Sequence, residues 1–370
     1  MLDQTDITMN HRPWGTLPED LLDRVLARLP IHTLFQLRSI NKKLNSIIYS
    51  DGFVKLYTEN WMEMQPWFLL TTVGNMVCTF NPALNKWHNI PLPTVAPRMR
   101  VVAASSSLLC FGDQIGECSV LSVCNPLIKS VRDLPPMLHV RLIHKLAILA
   151  DTGSRSYKIM VAGEDGYPPD DPYVYKLSTE VYDSTTRRWT MTGNPLPDAK
   201  FGSDPGVWCN GLYYCITEMP YGVVLYDPDQ GVWSDAQAEM PKFLATPSLV
   251  QCQGRLLMVG KVLSHAMTLA TTESIRIWEL KRATMEWIEV QKLPGRLYTA
   301  FLEPLAPFTP IVGVGLGDLV CFTTHLSPHA IVHNLATTSW HRLPRDSLFP
   351  SDRNFHMLGF AFEPRLDLYA

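Results

Sequence analysis

The 370-residue sequence lacks the features that mark secreted, membrane-spanning and zinc-binding proteins. Its eight cysteines are scattered and never form a C-x-x-C pair, which indicates reduced core residues of a nuclear or cytoplasmic protein. Residues 1–13 contain acids and no long apolar run, so we expect no secretory signal. No stretch approaches 18 uncharged apolar residues, so we expect neither a membrane span nor a membrane partner.

The chain also lacks a strong excess of charge and the common catalytic motifs. Its formal net charge is -3, which gives no electrostatic basis for binding nucleic acid or an anionic membrane. Neither the G-x-S-x-G motif of hydrolases nor the H-E-x-x-H motif of metalloproteases occurs. The sequence therefore predicts no catalytic residues, and we expect no cofactor.

Two patterns that resemble ligand sites have simpler explanations. His325, His329 and His333 are four residues apart, which would cluster metal ligands on a helix, but Pro328 interrupts any such helix. On a strand these histidines would lie roughly 13 Å apart. The glycine-rich run 313–317 is not followed by a helix that would present amides to a phosphate, so it predicts a strand and a turn. We expect no metal site.

The first fifty residues have the pattern of short amphipathic helices. Thr16 and Glu19 fit a capping box, and Pro18 falls in the first turn, where proline is tolerated. The next apolar residues have the spacing of one helix face, and Pro30 ends that helix. These residues are Leu21, Leu22, Val25, Leu26 and Leu29. A second stripe comprises Leu34, Leu37, Ile40, Leu44, Ile47 and Ile48.

Residues 14–55 resemble an F-box. The resemblance rests on Leu17-Pro18, on the leucine-rich first helix, on Arg28-Leu29-Pro30 and on the segment from Leu37 to Leu44. Family members usually carry Cys and Trp where this chain has Asn41 and Leu44. The resemblance implies binding to a SKP-type adaptor and, through it, to the cullin and RING subunits of a ubiquitin ligase.

The adaptor-binding residues implied by this resemblance are apolar anchors for the packing of helix on helix. They are Leu17, Pro18, Leu21, Leu22, Val25, Leu26, Leu29, Pro30, Leu34 and Leu37. The helical pattern alone leaves a second interpretation open. So small a module buries too little surface to be stable by itself, and it would then serve only as a cap on the domain that follows.

A short sequence motif, called the repeated phrase below, recurs six times in the rest of the chain. Each copy has a strand, a turn that is Asn-Pro or Asp-Pro in several copies, a central bulky residue and a closing proline. The central residues are Trp87, Val131, Trp189, Trp233, Trp287 and Trp340. Their spacing of 44 to 58 residues fits four-stranded propeller blades. We expect the central aromatic residues to pack between adjacent blades.

The strand-like runs predict how the propeller ring closes. Only two runs, 67–71 and 76–80, precede the strand of Trp87, whereas the run 355–362 follows the last phrase. We expect this C-terminal strand to complete the first blade, because closure removes the open sheet edges. The predicted organisation is a flexible N-terminus at 1–13, the F-box at 14–55, a connecting helix and linker at 51–66 and a propeller at 67–370.

The six phrases resemble kelch repeats in degenerate form, as found in plant F-box proteins. The usual double glycine after the second strand is missing, and single glycines stand there at Gly112, Gly163 and Gly260. The expected fold class is therefore a small all-α F-box module followed by an all-β, six-bladed, kelch-like propeller whose ring is closed by the C-terminal strand in the first blade.

The closing prolines lead into loops that should emerge at one end of the propeller. Basic residues in or near these loops would form a ring of positive charge, which suits an acidic or phosphorylated target protein. The predicted target-binding residues are Arg98, Arg100, Arg141, Lys200, Lys242, Arg296 and Arg345. The alternative is that these residues are merely solvated, as loop lysines and arginines often are.

The sequence thus predicts the substrate-recognition subunit of a SKP–cullin–F-box ubiquitin ligase. Such a subunit is not an enzyme, because it acts by holding a target near the subunit that transfers ubiquitin. A propeller scaffold without a ligase role and a propeller enzyme remain as alternatives. The scaffold would fail to bind an adaptor, and the enzyme would need His, Tyr or carboxylate groups that converge at the propeller mouth.

Overall fold

The computed structural model divides the chain into two compact units, Met1–Met64 and Gln65–Ala370. The structure describes residues 18–38, 40, 42–59, 66–71, 77–93, 99–113, 117–118, 120–139, 141–165, 177–196, 199–202, 204–264, 272–302, 309–324, 327–344 and 358–370. No helix within these ranges has the length and apolar character required to cross a bilayer.

The first unit contains four short helices. They are α1 (Glu19–Leu26), α2 (Ile31–Leu37), α3 (Lys42–Ile48) and α4 (Asp51–Glu59). Pro18 and Pro30 directly precede α1 and α2 with extended backbone. The segment predicted to connect the two units begins with α4, which contacts α1 and α3. Phe53 and Tyr57 of α4 are buried, so this helix is an integral part of the helical unit.

The second unit is a six-bladed propeller of antiparallel sheets. Blades 1 to 3 are given from the innermost to the outermost strand. Blade 1 contains β25 (Leu358–Phe362), β1 (Trp67–Thr71), β2 (Val77–Asn81) and β3 (Lys86–Asn89). Blade 2 contains β4 (Met99–Ser105), β5 (Leu108–Asp113), β7 (Ser122–Asn125) and β8 (Ser130–Asp133). Blade 3 contains β9 (Arg141–Asp151), β10 (Ser156–Asp165), β11 (Leu177–Asp183) and β12 (Arg188–Met191), with the short β6 (Glu117–Cys118) added to its inner edge.

The remaining three blades have the same order, and one further helix, α5 (Gly295–Leu302), lies between blades 5 and 6 in the chain. Blade 4 contains β13 (Val207–Cys209), β14 (Leu212–Thr217), β15 (Gly222–Asp227) and β16 (Val232–Asp235). Blade 5 contains β17 (Leu244–Cys252), β18 (Arg255–Leu263), β19 (Thr272–Lys281) and β20 (Glu286–Lys292). Blade 6 contains β21 (Ile311–Leu316), β22 (Leu319–Thr324), β23 (Ser327–Asn334) and β24 (Ser339–Arg342).

The six central residues of the repeated phrase all lie on the outermost strands of the six blades. In each blade the central residue pairs with a residue of the third strand, as Phe80 does with Trp87 and Tyr226 with Trp233. The prediction of a six-bladed propeller built from these phrases is therefore confirmed. The run around 355–362 supplies β25, which pairs along its length with β1.

Three of the tryptophans connect neighbouring blades by hydrogen bonds. Trp87 Nε1 in blade 1 donates to Pro344 O at the end of blade 6, over 2.7 Å. Trp189 Nε1 in blade 3 likewise donates to Pro135 O at the end of blade 2, over 2.8 Å. Trp233 Nε1 in blade 4 donates to Thr179 Oγ1 on the third strand of blade 3, over 2.9 Å. In two blades the central tryptophan thus binds the closing proline of the preceding phrase, and in a third it binds a side chain of the preceding blade.

The segment after β25 is packed between blades 2 and 3. Leu368 is fully buried in an apolar cluster with residues of both blades. Asn125 Nδ2, also buried, donates to Arg365 O over 2.9 Å and to Leu368 O over 2.8 Å. These bonds and this burial fix residues 363–370 against the propeller.

Single glycines stand on the second strands where kelch repeats usually have pairs. A Cβ atom at Gly163 would lie 2.0 Å from Leu142 O, and one at Gly260 would lie 2.5 Å from Leu244 Cδ1. Gly163 is therefore restricted to glycine by the backbone of the neighbouring innermost strand, whereas a side chain at Gly260 would require Leu244 to move.

Candidate protein-binding surfaces

Two apolar residues of α1 are exposed in the helical unit. Leu21 and Val25 are 44% and 43% exposed, and they lie one turn apart on the same side of the helix. Pro18 and Pro30, at the starts of α1 and α2, are exposed as well. The surface formed by these four residues is called the α1 surface below. Leu17, which was predicted to belong with them, lies outside the described residues.

Two of the predicted adaptor-binding residues belong to the buried core instead. Leu26 and Leu34 are 4% and 0% exposed, so the prediction that their side chains contact a partner is wrong. Leu22, Leu29 and Leu37 are half-buried. The apolar stripe of α1 is wide enough to contact both the core of the helical unit and a partner. Its spacing alone does not show which residues face the core.

The propeller has two ends that differ in their connections. Because four antiparallel strands alternate in direction, the hairpin turns after the first and third strands lie at one end, called the turn face. The connections after the second strands and between blades lie at the other end, called the loop face. Lys200, Lys242 and Arg296 are exposed on the loop face, and their role in binding a target stays a prediction.

The predicted basic ring is incomplete among the described residues. Arg100 is half-buried, and its Nη1 atom donates to Met99 O over 3.4 Å. Arg98 and Arg345 lie outside the described part of the chain. Arg141 is fully buried, so the prediction that it is an exposed target-binding charge is wrong.

Arg141 instead holds the connection from blade 2 to blade 3. Its guanidinium forms a buried ion pair with Glu180 and donates to Ser178 O over 3.0 Å. The Glu180 carboxylate also accepts from the backbone N–H groups of Leu138 (2.8 Å) and His139 (2.9 Å). The pairing was not predictable from the spacing, because Glu180 lies on another strand 39 residues further along the chain.

A second buried ion pair connects blade 3 to the start of blade 4. Lys145 Nζ lies 3.1 Å from Asp204 Oδ1, and both side chains are nearly inaccessible to solvent. The same ammonium donates to Gly202 O over 2.7 Å. Asp204 Oδ2 accepts from Gly206 N over 3.1 Å. The connection ahead of β13 is therefore fixed by charge and hydrogen bonds, a feature that the sequence analysis missed.

The loop face also exposes apolar side chains that the sequence analysis missed. Leu138, Leu142, Met219 and Phe243 are between 45% and 75% exposed. Single exposed apolar side chains are common on soluble proteins, and only contiguous apolar patches mark interaction surfaces by themselves. The loop face therefore presents apolar groups together with three lysine and arginine side chains.

Two family descriptions match this sequence. The F-box domain matches residues 14–56, and the KIB1-4 beta-propeller matches residues 79–325. The chain belongs to the KIB1-4 beta-propeller family. The F-box and the propeller that were recognised from sequence motifs are both confirmed.

Proteins similar to this family member occur in plants. F-box only protein 6 of Arabidopsis thaliana is 29% identical over 93% of this chain and 72% of its own length. An F-box/kelch-repeat protein of the same plant is 27% identical over 95% of this chain and 89% of its own length. The protein UNUSUAL FLORAL ORGANS, also from Arabidopsis thaliana, is 27% identical over 79% of this chain and 70% of its own length.

The centre of this family member's propeller holds a cavity of about 250 Å3. Residues of the innermost strands of all six blades line it, among them Val102, Leu146, Gly315 and Phe360, and none of the lining side chains is charged. The Trp208 Nε1 group, from another lining residue, is buried without a hydrogen-bond partner in the described structure. The cavity offers no charge that would select an acidic partner.

The described part of the chain contains no cluster of three or more His, Cys, Asp or Glu side chains with the geometry of a metal site. His333, from the histidine triplet, is buried and stacks on Trp340 with ring centroids 4.1 Å apart. Its Nδ1 atom lies 3.1 Å from Ser339 O, so Nδ1 carries the proton and donates. Burial lowers the pKa of His333, and the bond to Ser339 partly opposes this effect. His325 lies outside the described residues.

Proposed function

We propose that the chain is the substrate-recognition subunit of a SKP–cullin–F-box ubiquitin ligase. The F-box domain binds a SKP-type adaptor, which links the chain to cullin and RING subunits, and the loop face of the propeller binds a target protein. The chain forms no covalent bond itself. It raises the local concentration of the target near the subunit that transfers ubiquitin.

The observation that carries this proposal is the exposure of Leu21 and Val25 on the α1 surface. Leu26 and Leu34 already fill the buried side of the helical unit, so the exposed pair is not needed for the unit's own core. Two exposed apolar side chains one turn apart form the kind of ridge that packs into a groove between the helices of a partner.

The loop face supports the second half of the proposal. Two of its connections, ahead of blades 3 and 4, are fixed by the buried pairs Arg141–Glu180 and Lys145–Asp204. A fixed surface loses little conformational entropy on binding, which favours affinity. The mixture of exposed apolar and basic groups suits a protein partner better than a small molecule.

The test is a titration of the full chain with a purified SKP-type adaptor. The variant Leu21→Asp/Val25→Asp places two carboxylates on the α1 surface, and we expect adaptor affinity to fall about 100-fold or more. The control variant Val131→Asp/Val232→Asp makes the same changes at exposed valines on outer propeller strands, and it should bind like the unaltered chain.

Two outcomes would contradict the proposal. If the unaltered chain binds no SKP-type adaptor, the propeller scaffold without a ligase role becomes the better account. If the helical and propeller variants lose affinity equally, the α1 surface is not the docking site. Circular dichroism of both variants checks that each remains folded.

We also propose that the chain acts in the nucleus or the cytoplasm. The seven cysteines whose side chains the structure describes are buried and form no disulfide bond, which suits a reducing compartment. Fractionation of cells that express the tagged full chain tests this, and recovery in the secretory compartments alone would contradict it.

A further inference from the structure

A pocket of about 370 Å3 opens on the loop face at blade 5. Its lining residues come from the connection ahead of β17, from the end of β18 and from β19. They are Pro241, Lys242, Phe243, Val262, Leu263, Arg276 and Trp278, and together they are called the blade 5 pocket. Trp278 and Val262 are buried and form an apolar floor, whereas Phe243 and Lys242 stand exposed at the rim.

The backbone around this pocket is distorted more than in any other described blade. All three strand pairings of blade 5 contain a register shift, at Ala245/Ser248, Val262/Leu263 and Ile277/Trp278. Such bulges re-aim side chains and are frequent beside functional sites. Three of the shifted residues, Val262, Leu263 and Trp278, line the pocket itself.

Phe243 adds a second distortion at the same place. It is 49% exposed and has a φ angle of +58°, a left-handed conformation that is unfavourable for a bulky side chain. Its carbonyl oxygen accepts a hydrogen bond from Leu263 N over 3.0 Å, which holds this conformation. An aromatic ring kept half in solvent by a strained backbone is what an anchor for a partner side chain requires.

The charges of the pocket have one sign. Lys242 and Arg276 are cationic, and no carboxylate is among the lining residues. Arg276 Nη1 lies 2.8 Å from Glu289 Oε2, but both side chains of this pair are 30% or more exposed. An ion pair so open to solvent contributes little stability, so Arg276 can take a second carboxylate from a partner.

We propose that the blade 5 pocket binds an acidic segment of the target protein, with one large apolar side chain of that segment inserted against Phe243 and Trp278. Carboxylates on either side of the inserted residue pair with Lys242 and Arg276. This inference rests on the proposed function, because it identifies the part of the loop face that holds the target. The central cavity is unsuited to such a segment because its lining has no charge.

The experiment measures binding of the full chain to three fluorescent peptide pools by anisotropy. Each pool has a central phenylalanine and randomised neutral positions, and the flanking residues are glutamate in the first pool, serine in the second and lysine in the third. We expect the glutamate pool to bind best and to weaken as salt is added, because exposed charges are screened. Equal binding of the glutamate and serine pools would overturn the proposal.

Two matched substitutions localise the binding. Lys242→Glu reverses the charge at the pocket rim, and we expect it to lower the affinity for the glutamate pool about tenfold. Lys86→Glu makes the same change at an exposed position of blade 1 and should leave affinity unchanged. Equal losses in the two variants would contradict the assignment to blade 5. Thermal melting of both variants verifies that they are folded.

A third measurement separates this inference from the ligase proposal. Adaptor binding depends on the α1 surface, and peptide binding depends on blade 5. If the chain binds the adaptor and no acidic peptide, only the pocket assignment is lost. If it binds the peptide through Lys242 and no adaptor, the pocket stands as the site of a scaffold protein and the ligase proposal is lost.

Discussion

The turn face and the loop face of the propeller are built by different kinds of interaction. On the turn face, the hairpin before each outermost strand has the same local design. The first residue is Asn or Asp in five blades, and its side-chain oxygen accepts from the backbone N–H two residues later, over 2.7 to 3.1 Å. These residues are Asn81, Asn125, Asp183, Asp227 and Asn334.

The last residue of each of these hairpins has a positive φ angle, in all six blades. The φ values lie between 50° and 67° at Asn85, Lys129, Arg187, Gly231, Met285 and Thr338. The side-chain cap and the left-handed residue together form a turn that folds from neighbouring residues alone. The turn face is therefore built from one local turn geometry that recurs from blade to blade.

Within the described residues, the loop face shows no turn design that recurs in this way from blade to blade. The register shifts among the described strands of blades 2, 3, 5 and 6 lie toward this end or at mid-strand, as at Val101/Ala103 and Ala162/Gly163. Two of its described connections, ahead of blade 3 and ahead of blade 4, are held by buried ion pairs between residues distant in sequence. The comparison shows that the described turns of one end are uniform and local, whereas the described connections of the other end differ from blade to blade and depend on contacts between distant residues.

The largest expected effect concerns the ion pair that holds the loop face. Lys145→Met leaves the Asp204 carboxylate buried without its cation, and we expect a loss of about 3 to 5 kcal/mol in the free energy of unfolding. The control is Lys281→Met, which removes the more exposed Lys281–Glu279 pair and should cost less than about 1 kcal/mol. Urea unfolding measures both, and equal losses would show that the loop face is not held as described.

A smaller effect is expected at the turn face. Asn125→Asp keeps the oxygen that caps the hairpin but replaces the amide that donates to Arg365 O and Leu368 O. The new oxygen would face two carbonyls in a buried site, so we expect a loss of about 2 to 3 kcal/mol. Asn334→Asp makes the same change in an equivalent, more exposed turn. It should change the free energy of unfolding by no more than about 0.5 kcal/mol. Similar urea midpoints for the two variants would show that the bonds from Asn125 to residues 365 and 368 do not contribute to stability as described.

The smallest effect is a pH dependence at His333. Its pKa is lowered in the folded protein by burial, so its contribution to stability is complete above the unfolded pKa and is lost as the pH falls through the folded pKa. His333→Tyr copies the residue found at the equivalent positions of blades 3 and 4, Tyr182 and Tyr226. Between pH 7.5 and 5.5 the unaltered chain should lose more stability than this variant. An identical pH response of the two urea midpoints would refute the assignment.

The contrast between the two faces also explains which parts of the structure could be predicted from the sequence. The blades were predictable because the hairpin chemistry and the central tryptophans are local signals that recur. The strand of Trp233 and its pairing with Tyr226 follow from one short phrase. The same signals say little about the loop face, where Arg141 finds its partner 39 residues away.

The candidate sites were predictable only in outline. The apolar stripe of α1 predicted a binding helix, but the division between the exposed Leu21 and the buried Leu26 depends on how four helices pack. The exposure of Phe243 depends on bulges that no local pattern indicates. Charge at Lys242 was predicted, whereas the apolar pocket beside it was not.

The central claim is that the α1 surface, and no part of the propeller, binds the adaptor. Hydrogen exchange of the full chain, with and without a purified SKP-type adaptor, tests it most directly. We expect the adaptor to slow amide exchange in peptides that cover residues 18–30 and to leave exchange unchanged in peptides from the loop face, such as residues 236–243. Protection at the loop face, or none over residues 18–30, would contradict it.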